Sequence, residues 1–308
     1  MGTLNGPLIQ AAQGALQALL ILALAPGLNG IIKKFKARLQ NRVGPPVLQP
    51  YYDLRKYFAK EPVVSRHSSW ILPMVPYLAL AAYTVASAQV PLLGSGAGGD
   101  LLAFIYLLAL ARVGLTLGAL DTGSNFGGMG ASRELAVSVL VEPVLFLSLA
   151  GLAASAGTTR LGALAAGGVT TGDPGRLLGA AAFAFVAIAE MGRIPVDNPD
   201  THLELTMIHE GMLLEYSGRH LALLTWAAEV KQFAVLAVLA NVFLGLGSFG
   251  HGALTLGLSI AAVGVLGLAF GLIEFLFAKV RFFRLPRLLG ASFLLAALSV
   301  VTVLFLGR

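Results

Sequence analysis

Ionisable residues are sparse in this chain, and several stand where nearly everything around them is apolar. Arg112 interrupts LLAFIYLLALARVGLTLGAL, Glu142 lies in LVEPVLFLSLA, Lys231 follows Glu229 in LALLTWAAEVKQFAVLAVLA, and Glu274 sits near the end of another apolar run. An ionised group at the centre of a bilayer costs about 2.5 to 3.5 kcal/mol, so such residues face protein or water and pair with one another. Glu142 is followed by Pro143, which removes a backbone hydrogen bond and can open the helix locally to water. Two chemistries fit these groups: buried ion pairs that hold helices together, or a path for protons or ions.

A second set is concentrated in residues 190 to 219, where Glu190, Asp197, Asp200, Glu204, Glu210 and Glu215 oppose Arg193 and Arg219, a net of −4. Asn198-Pro199, or alternatively Thr201-His202-Leu203-Glu204 as a capping box, predicts a helix running to about residue 217. On it Glu204 and Glu215, and likewise His202 and His209, fall nearly on one face. Carboxylates and imidazoles stacked in this way at a membrane surface can pass protons. The same cluster also fits a solvated acidic face or a salt-bridged dock onto a basic loop. No HExxH or other tight ligand spacing accompanies the two histidines, so no metal site is expected.

These groups need a scaffold, and the composition specifies it. The chain has 308 residues, 57% of them hydrophobic and only 12% charged, with a mean hydropathy of +0.82. Soluble domains carry roughly 25% charged residues, so an ordinary water-facing surface is excluded. Spans of about 20 apolar residues fall near 8 to 32, 70 to 92, 101 to 120, 135 to 155, 177 to 192, 220 to 244, 253 to 275 and 288 to 307. The expected fold is all-α: eight transmembrane helices in one membrane domain over 1–308, the fifth the shortest. The first apolar run precedes its basic residues, which predicts a retained span and not a cleaved secretory signal.

Loop charge predicts the orientation. With the amino terminus outside, 16 Lys/Arg, Arg133, Arg193 and Arg219 among them, fall on inner segments and three, Arg160, Arg176 and Arg308, on outer ones, and Arg112 and Lys231 lie within spans. Both termini are therefore expected on the outer side of the membrane. The inner segment 33 to 66 carries nine basic and two acidic groups. After its Gly44-Pro45-Pro46 break, Leu48, Tyr51, Leu54, Tyr57 and Phe58 recur at helical spacing while Arg55, Lys56 and Lys60 face elsewhere, as in an amphipathic helix on the membrane surface. Lipid anchoring and subunit docking both fit this loop. The basic residues flank apolar spans, so no nucleic-acid partner is expected. With no cysteine, any iron–sulfur cluster must belong to another chain.

Four blocks of sequence resemble one family. Leu39-Gln-Asn-Arg-Val-Gly-Pro-Pro-Val-Leu-Gln-Pro with Lys60-Glu61-Pro62 resembles the first inner loop of the membrane subunit that joins the two arms of respiratory complex I. The run from Gly130-Ala-Ser-Arg133 to Glu142, Glu190-Met-Gly-Arg193-Ile-Pro195-Val-Asp197, and Glu215-Tyr216-Ser217-Gly218 are similar to its later inner-side motifs. Between Glu204 and Glu215 this chain is about three residues longer. Its wording Asn198-Pro-Asp-Thr-His-Leu-Glu-Leu-Thr-Met-Ile-His-Glu210 resembles the related subunit of energy-converting nickel–iron hydrogenases of the hydrogenase-4 and formate hydrogenlyase type.

That resemblance implies a subunit without a redox centre of its own. It implies large and small hydrogenase subunits and a ferredoxin-like iron–sulfur subunit as partners, which would hold the nickel–iron centre and clusters, with antiporter-like membrane subunits alongside. It further implies proton handling by Glu142, Glu190, Asp197, Glu204, Glu210 and Glu215. Roles on the same path for His202, His209, Glu229, Lys231 and Arg112 follow from chemistry and placement, as does docking through Arg38, Arg42, Arg55, Lys56, Arg133 and Arg193. The rival expectations are a quinone-site subunit of complex I, a standalone ion transporter and a purely structural anchor.

Overall fold

In the computed structural model the described residues are 5–94, 98–167, 174–198, 207–245 and 253–306. Their regular structure is helical apart from one isolated bridge between Asp100 and Arg160. The helices are α1 (Asn5–Leu39), α2 (Gln49–Phe58), α3 (Ile71–Ala88), α4 (Leu101–Asp121), α5 (Asn125–Ala156), α6 (Leu161–Ala166), α7 (Pro174–Glu190), α8 (His209–Leu213), α9 (Gly218–Val238), α10 (Ala253–Leu276) and α11 (Leu285–Leu306).

Among the described residues seven helices are long and apolar enough to cross a membrane: α1, α3, α4, α5, α9 with its continuation to Phe243, α10, and α11 with the turn before it. The eighth expected span is α7, whose 17 residues reach about 25 Å at about 1.5 Å per residue. It packs between α5 and α11. Pro26, Pro76 and Pro143 lie inside α1, α3 and α5, as membrane helices permit. Starts and stops follow side-chain chemistry. The Asp100 carboxylate accepts from Leu102 N at 2.8 Å, Ser124 Oγ accepts from Gly127 N at 3.1 Å, and Gly157 ends α5 in the left-handed conformation.

The hub is α9. Its apolar window is 78% buried, against 28% for α10 and α11, and it touches α1, α2, α3 and α10. Around it α3 packs on α4, α4 on α5, and α5 on both α7 and α11. At its far end α9 continues as a π turn over Leu239–Phe243. The Arg176 guanidinium donates to the carbonyls of Phe243 and Val242 at 2.9 and 2.5 Å, so a residue expected in an outer loop is turned into the bundle.

The loops that follow α1, α4, α7 and α10 lie at one end of the bundle, here termed the basic end. There α2 is amphipathic as expected, and it is seated on protein: Leu54 is buried, Tyr51 Oη donates to Ala23 O at 2.5 Å and accepts from Gly27 N at 3.1 Å, and Phe58 meets Trp226 edge to face at 6.3 Å. Burial raises the Tyr51 pKa, which keeps its hydroxyl a donor.

The acidic loop departs from expectation. In place of a helix continuing to residue 217 there is the short α8, then a break over residues 214–217. The break follows from pinning against the basic loop. Val63 N donates to Ser217 Oγ at 2.8 Å, and Gly218, with φ +53°, lies so close to Glu61 that a Cβ would stand 2.4 Å from its carbonyl oxygen. Glu215 therefore leaves the helix face assigned to it. His202 and Glu204 lie outside the described residues.

Helix α1 makes an equally tight approach at Gly30, where a Cβ would lie 1.9 Å from Val47 O. Gly30→Ala is expected to lower the thermal midpoint in detergent, with a cost of about 1–3 kcal/mol or more. Gly264→Ala, where nothing lies within 4 Å, is the control and should be silent.

Candidate functional site

Helix α4 carries Arg112 on its buried side, and three carboxylates converge on it. From α5, Glu142 Oε1 lies 2.7 Å from Nη1 and Glu134 Oε1 3.4 Å from Nε; from the end of α7, Glu190 forms a close ion pair with Nη2. Lys231 of α9 completes the group, with Nζ 3.8 Å from Glu190 Oε1 and 5.5 Å from the centre of the Tyr83 ring. Three acids share two cations, so the cluster is neutral when one carboxylate holds a proton. Glu190 is fully buried, whereas the Glu142 side chain is 44% exposed on the flank of α5.

A second network ties α1, α9 and α10 to the turn after α7. Asn29 Nδ2 donates to Glu229 Oε1 at 2.7 Å; Arg193 donates to Gln232 Oε1 at 2.7 Å and to Asn29 Oδ1 at 3.3 Å. Glu274 lies 3.5 Å from Arg193 and 2.7 Å from Lys36. The turn is held from another side by Asp197, which is 2.7 Å from Lys279 Nζ and accepts from the backbone of His209 at 3.0 Å, while Val280 N donates to Pro195 O at 2.9 Å.

Between the two networks lies a cavity of about 380 Å³, lined by Lys33, Asp53, Arg193, Asp197, His209, Glu210, Glu229, Lys231 and less polar neighbours. Lys33 is exposed at the basic end, so the cavity leads from that surface toward Lys231. Two further voids of about 10 Å³ each, the size of one water, adjoin it. One is lined by Glu134, Glu190, Asp197, His209 and Lys231, the other by Tyr83, Leu115, His209 and Lys231. Burial, reinforced by Lys231, lowers the His209 pKa and keeps its imidazole neutral.

Of the residues expected on a path, Arg112, Glu142, Glu190 and Lys231 meet in one cluster, and Asp197, His209, Glu210 and Glu229 surround the cavity. Glu215 stands apart from the groups lining it. Of the residues expected to dock partners, Arg38, Arg42, Arg55 and Lys56 are exposed. Arg133 and Arg193 point inward, the former donating to Met207 O at 2.9 Å. Glu134 was missed because the span drawn from residue 135 begins one residue after it. Its position two turns before Glu142, beyond a basic Arg133, was the available signal. Asn29, Lys36, Gln232 and Lys279 gave no signal, since each becomes relevant only through a partner distant in sequence.

Comparison with known proteins gives a consistent answer. The chain is 36% identical over 304 residues to formate hydrogenlyase subunit 4 of Escherichia coli K12, covering 94% of this chain and 97% of that one. It is 38% identical over 242 residues to hydrogenase-4 component C of the same organism, covering 75% and 74%. Among solved structures it superposes with a TM-score of 0.81 and 25% identity on a chain of the membrane-bound sulfane sulfur reductase, an archaeal respiratory membrane complex, over 93% of this chain and 98% of that one. The sequence model of the NADH dehydrogenase family matches residues 13–306, and this multi-pass membrane protein belongs to that family.

Proposed function

We propose that the chain is an integral membrane subunit of a nickel–iron hydrogenase or formate hydrogenlyase-like complex, which anchors the peripheral redox module at its basic end and couples electron transfer to proton or sodium movement. The observation that carries this reading is the placement of the Arg112 cluster. It is reached through water-sized gaps from a cavity at the basic end, and it emerges sideways at Glu142. A static brace would need equal numbers of acids and bases and no access; three carboxylates on two cations, beside cavities, form a group that can take up one proton and give it away.

The steps are electrostatic. A change of charge above the basic end, made by electron transfer in a partner, alters the potential at Glu229, Arg193 and Asp197 around the cavity. A proton entering the cluster neutralises one carboxylate, and Arg112 then shifts its weight toward the carboxylates that remain charged. A proton on Glu142 faces outward on the flank of α5, where a neighbouring membrane subunit of antiporter-like type can receive it. The chain has no cysteine, so thiolate-held nickel–iron and iron–sulfur centres belong to the large, small and ferredoxin-like partners. In this reading the complex sits in the inner membrane of a prokaryote with the basic end inside, as loop charge requires. The cavity wall is rich in charged groups, Lys33, Asp53, Arg193, Glu210 and Glu229 among them, which suits water and ions better than a quinone tail.

Glu142→Gln is expected to leave the complex assembled and its hydrogen-linked viologen reduction near normal, while ion movement per turnover falls by about tenfold. Wild-type pumping by the purified mutant complex in proteoliposomes would sink the reading, and quinone-linked activity of the wild-type complex with flavin-containing partners would replace it by the quinone-site one. Arg42→Ala removes an exposed cation from the basic loop and is expected to lower recovery of soluble partners on purification, most clearly at raised salt. Unchanged co-purification at every ionic strength would exclude Arg42 from docking.

A further inference from the structure

Among the described residues, His209 and Lys231 are the two that line all three cavities. Both the large cavity and the single-water void lined by Glu134 and Glu190 border them. Glu190 lines that void, and its Oε1, 3.8 Å from Lys231 Nζ, is buried without a hydrogen-bond partner among the described residues. The position of His209 is fixed by neighbours that line the same void, Asp197 and Gly192. Its backbone N–H is held by Asp197, Asp197 is held by Lys279, and a Cβ placed on Gly192 would lie 3.8 Å from that of His209.

From this geometry we infer that His209 is the gate of the path, the residue that carries protons from the large cavity to the Glu190 side, with the Lys279–Asp197 pair as its brace. The inference rests on the proton-path reading above. In the transfer one ring nitrogen accepts an excess proton relayed from the basic end by water in the large cavity, and the other nitrogen releases its own to the water in the small void, which passes one to the Glu190 carboxylate. No electron moves; the imidazole is neutral again once the second nitrogen has released its proton, and a ring flip restores the starting tautomer. Among the described residues, the charged groups facing the ring are Lys231 on α9, Glu190 on α7, Asp197 on the turn after it, Glu210 on α8 and Glu134 on α5.

The sign of the pH dependence follows. Burial and Lys231 lower the His209 pKa, so the ring is an empty acceptor at neutral pH and fills only at pH values below those that protonate a free imidazole. Coupled turnover of the wild-type complex should therefore decline on the acid side, and His209→Gln should lack that limb.

The test uses the whole complex, purified from its native host and reconstituted in liposomes, with viologen-linked turnover and dye-reported proton uptake read together. His209→Gln is expected to lower protons moved per turnover on the order of tenfold or more, with turnover in the presence of a protonophore unchanged. His209→Ala should lose the same movement and regain it when imidazole is added to the buffer, a rescue that a merely structural histidine would not show. Wild-type proton movement in His209→Gln, or no response of His209→Ala to imidazole, overturns the gate. Glu142→Gln separates the two levels: loss there with none in His209→Gln removes the gate alone, whereas full coupling in both removes the path itself.

Discussion

A guanidinium buried in an apolar bundle must be surrounded by acids, and Arg112 sets much of this structure through that requirement. Removing one partner from a buried ion pair is far more damaging than never having had the pair. Arg112 on α4 thus constrains α5 through Glu134 and Glu142, and α7 through Glu190; Lys231 then brings α9 to the same place. Four helices are registered against each other at one depth. The hydrophobic effect cannot do this between helices in lipid, because sliding one past another exchanges apolar contacts for apolar contacts. Charge supplies the register that greasy surfaces lack.

The second network has a different character. Glu229, Asn29, Arg193, Gln232, Glu274 and Lys36 alternate acids, amides and bases, with a hydrogen bond or ion pair at each step. It closes α10 onto α1 at the basic end and leaves the cavity between itself and the Arg112 cluster. The protein is consequently firm on both sides of a wet space, an arrangement in which a change of proton occupancy alters local fields without collapsing the wall.

The spans were legible in the sequence because hydropathy is a local sum, and even the shortness of α7 could be read from it. The amphipathic character of α2 was legible from spacing, but its seat on α1 and α9 was not, since that depends on Tyr51 finding Ala23 and Gly27. The acidic loop misled for a physical reason. Cap signals describe what a segment prefers when alone, and here Ser217 and Gly218 are claimed by the 61–63 backbone. Arg133, Arg176 and Arg193 counted as loop positives toward orientation, yet each is turned to internal carbonyls or amides. The charged residues within spans announced themselves by type; their pairing was invisible, because Arg112 and Glu190 are 78 positions apart and meet only after packing.

Glu142 has one more consequence. Near the middle of a long helix, on a flank shared with Leu135, Val139 and Phe146, it leaves a carboxylate partly open to whatever borders the bundle. Against hydrocarbon that is unfavourable by a few kcal/mol; against a polar group on an adjacent helix it is not. An orphan copy in the bilayer therefore bears a penalty that a copy in its proper company does not, and stoichiometric production of the neighbouring chain becomes a condition for this one to persist.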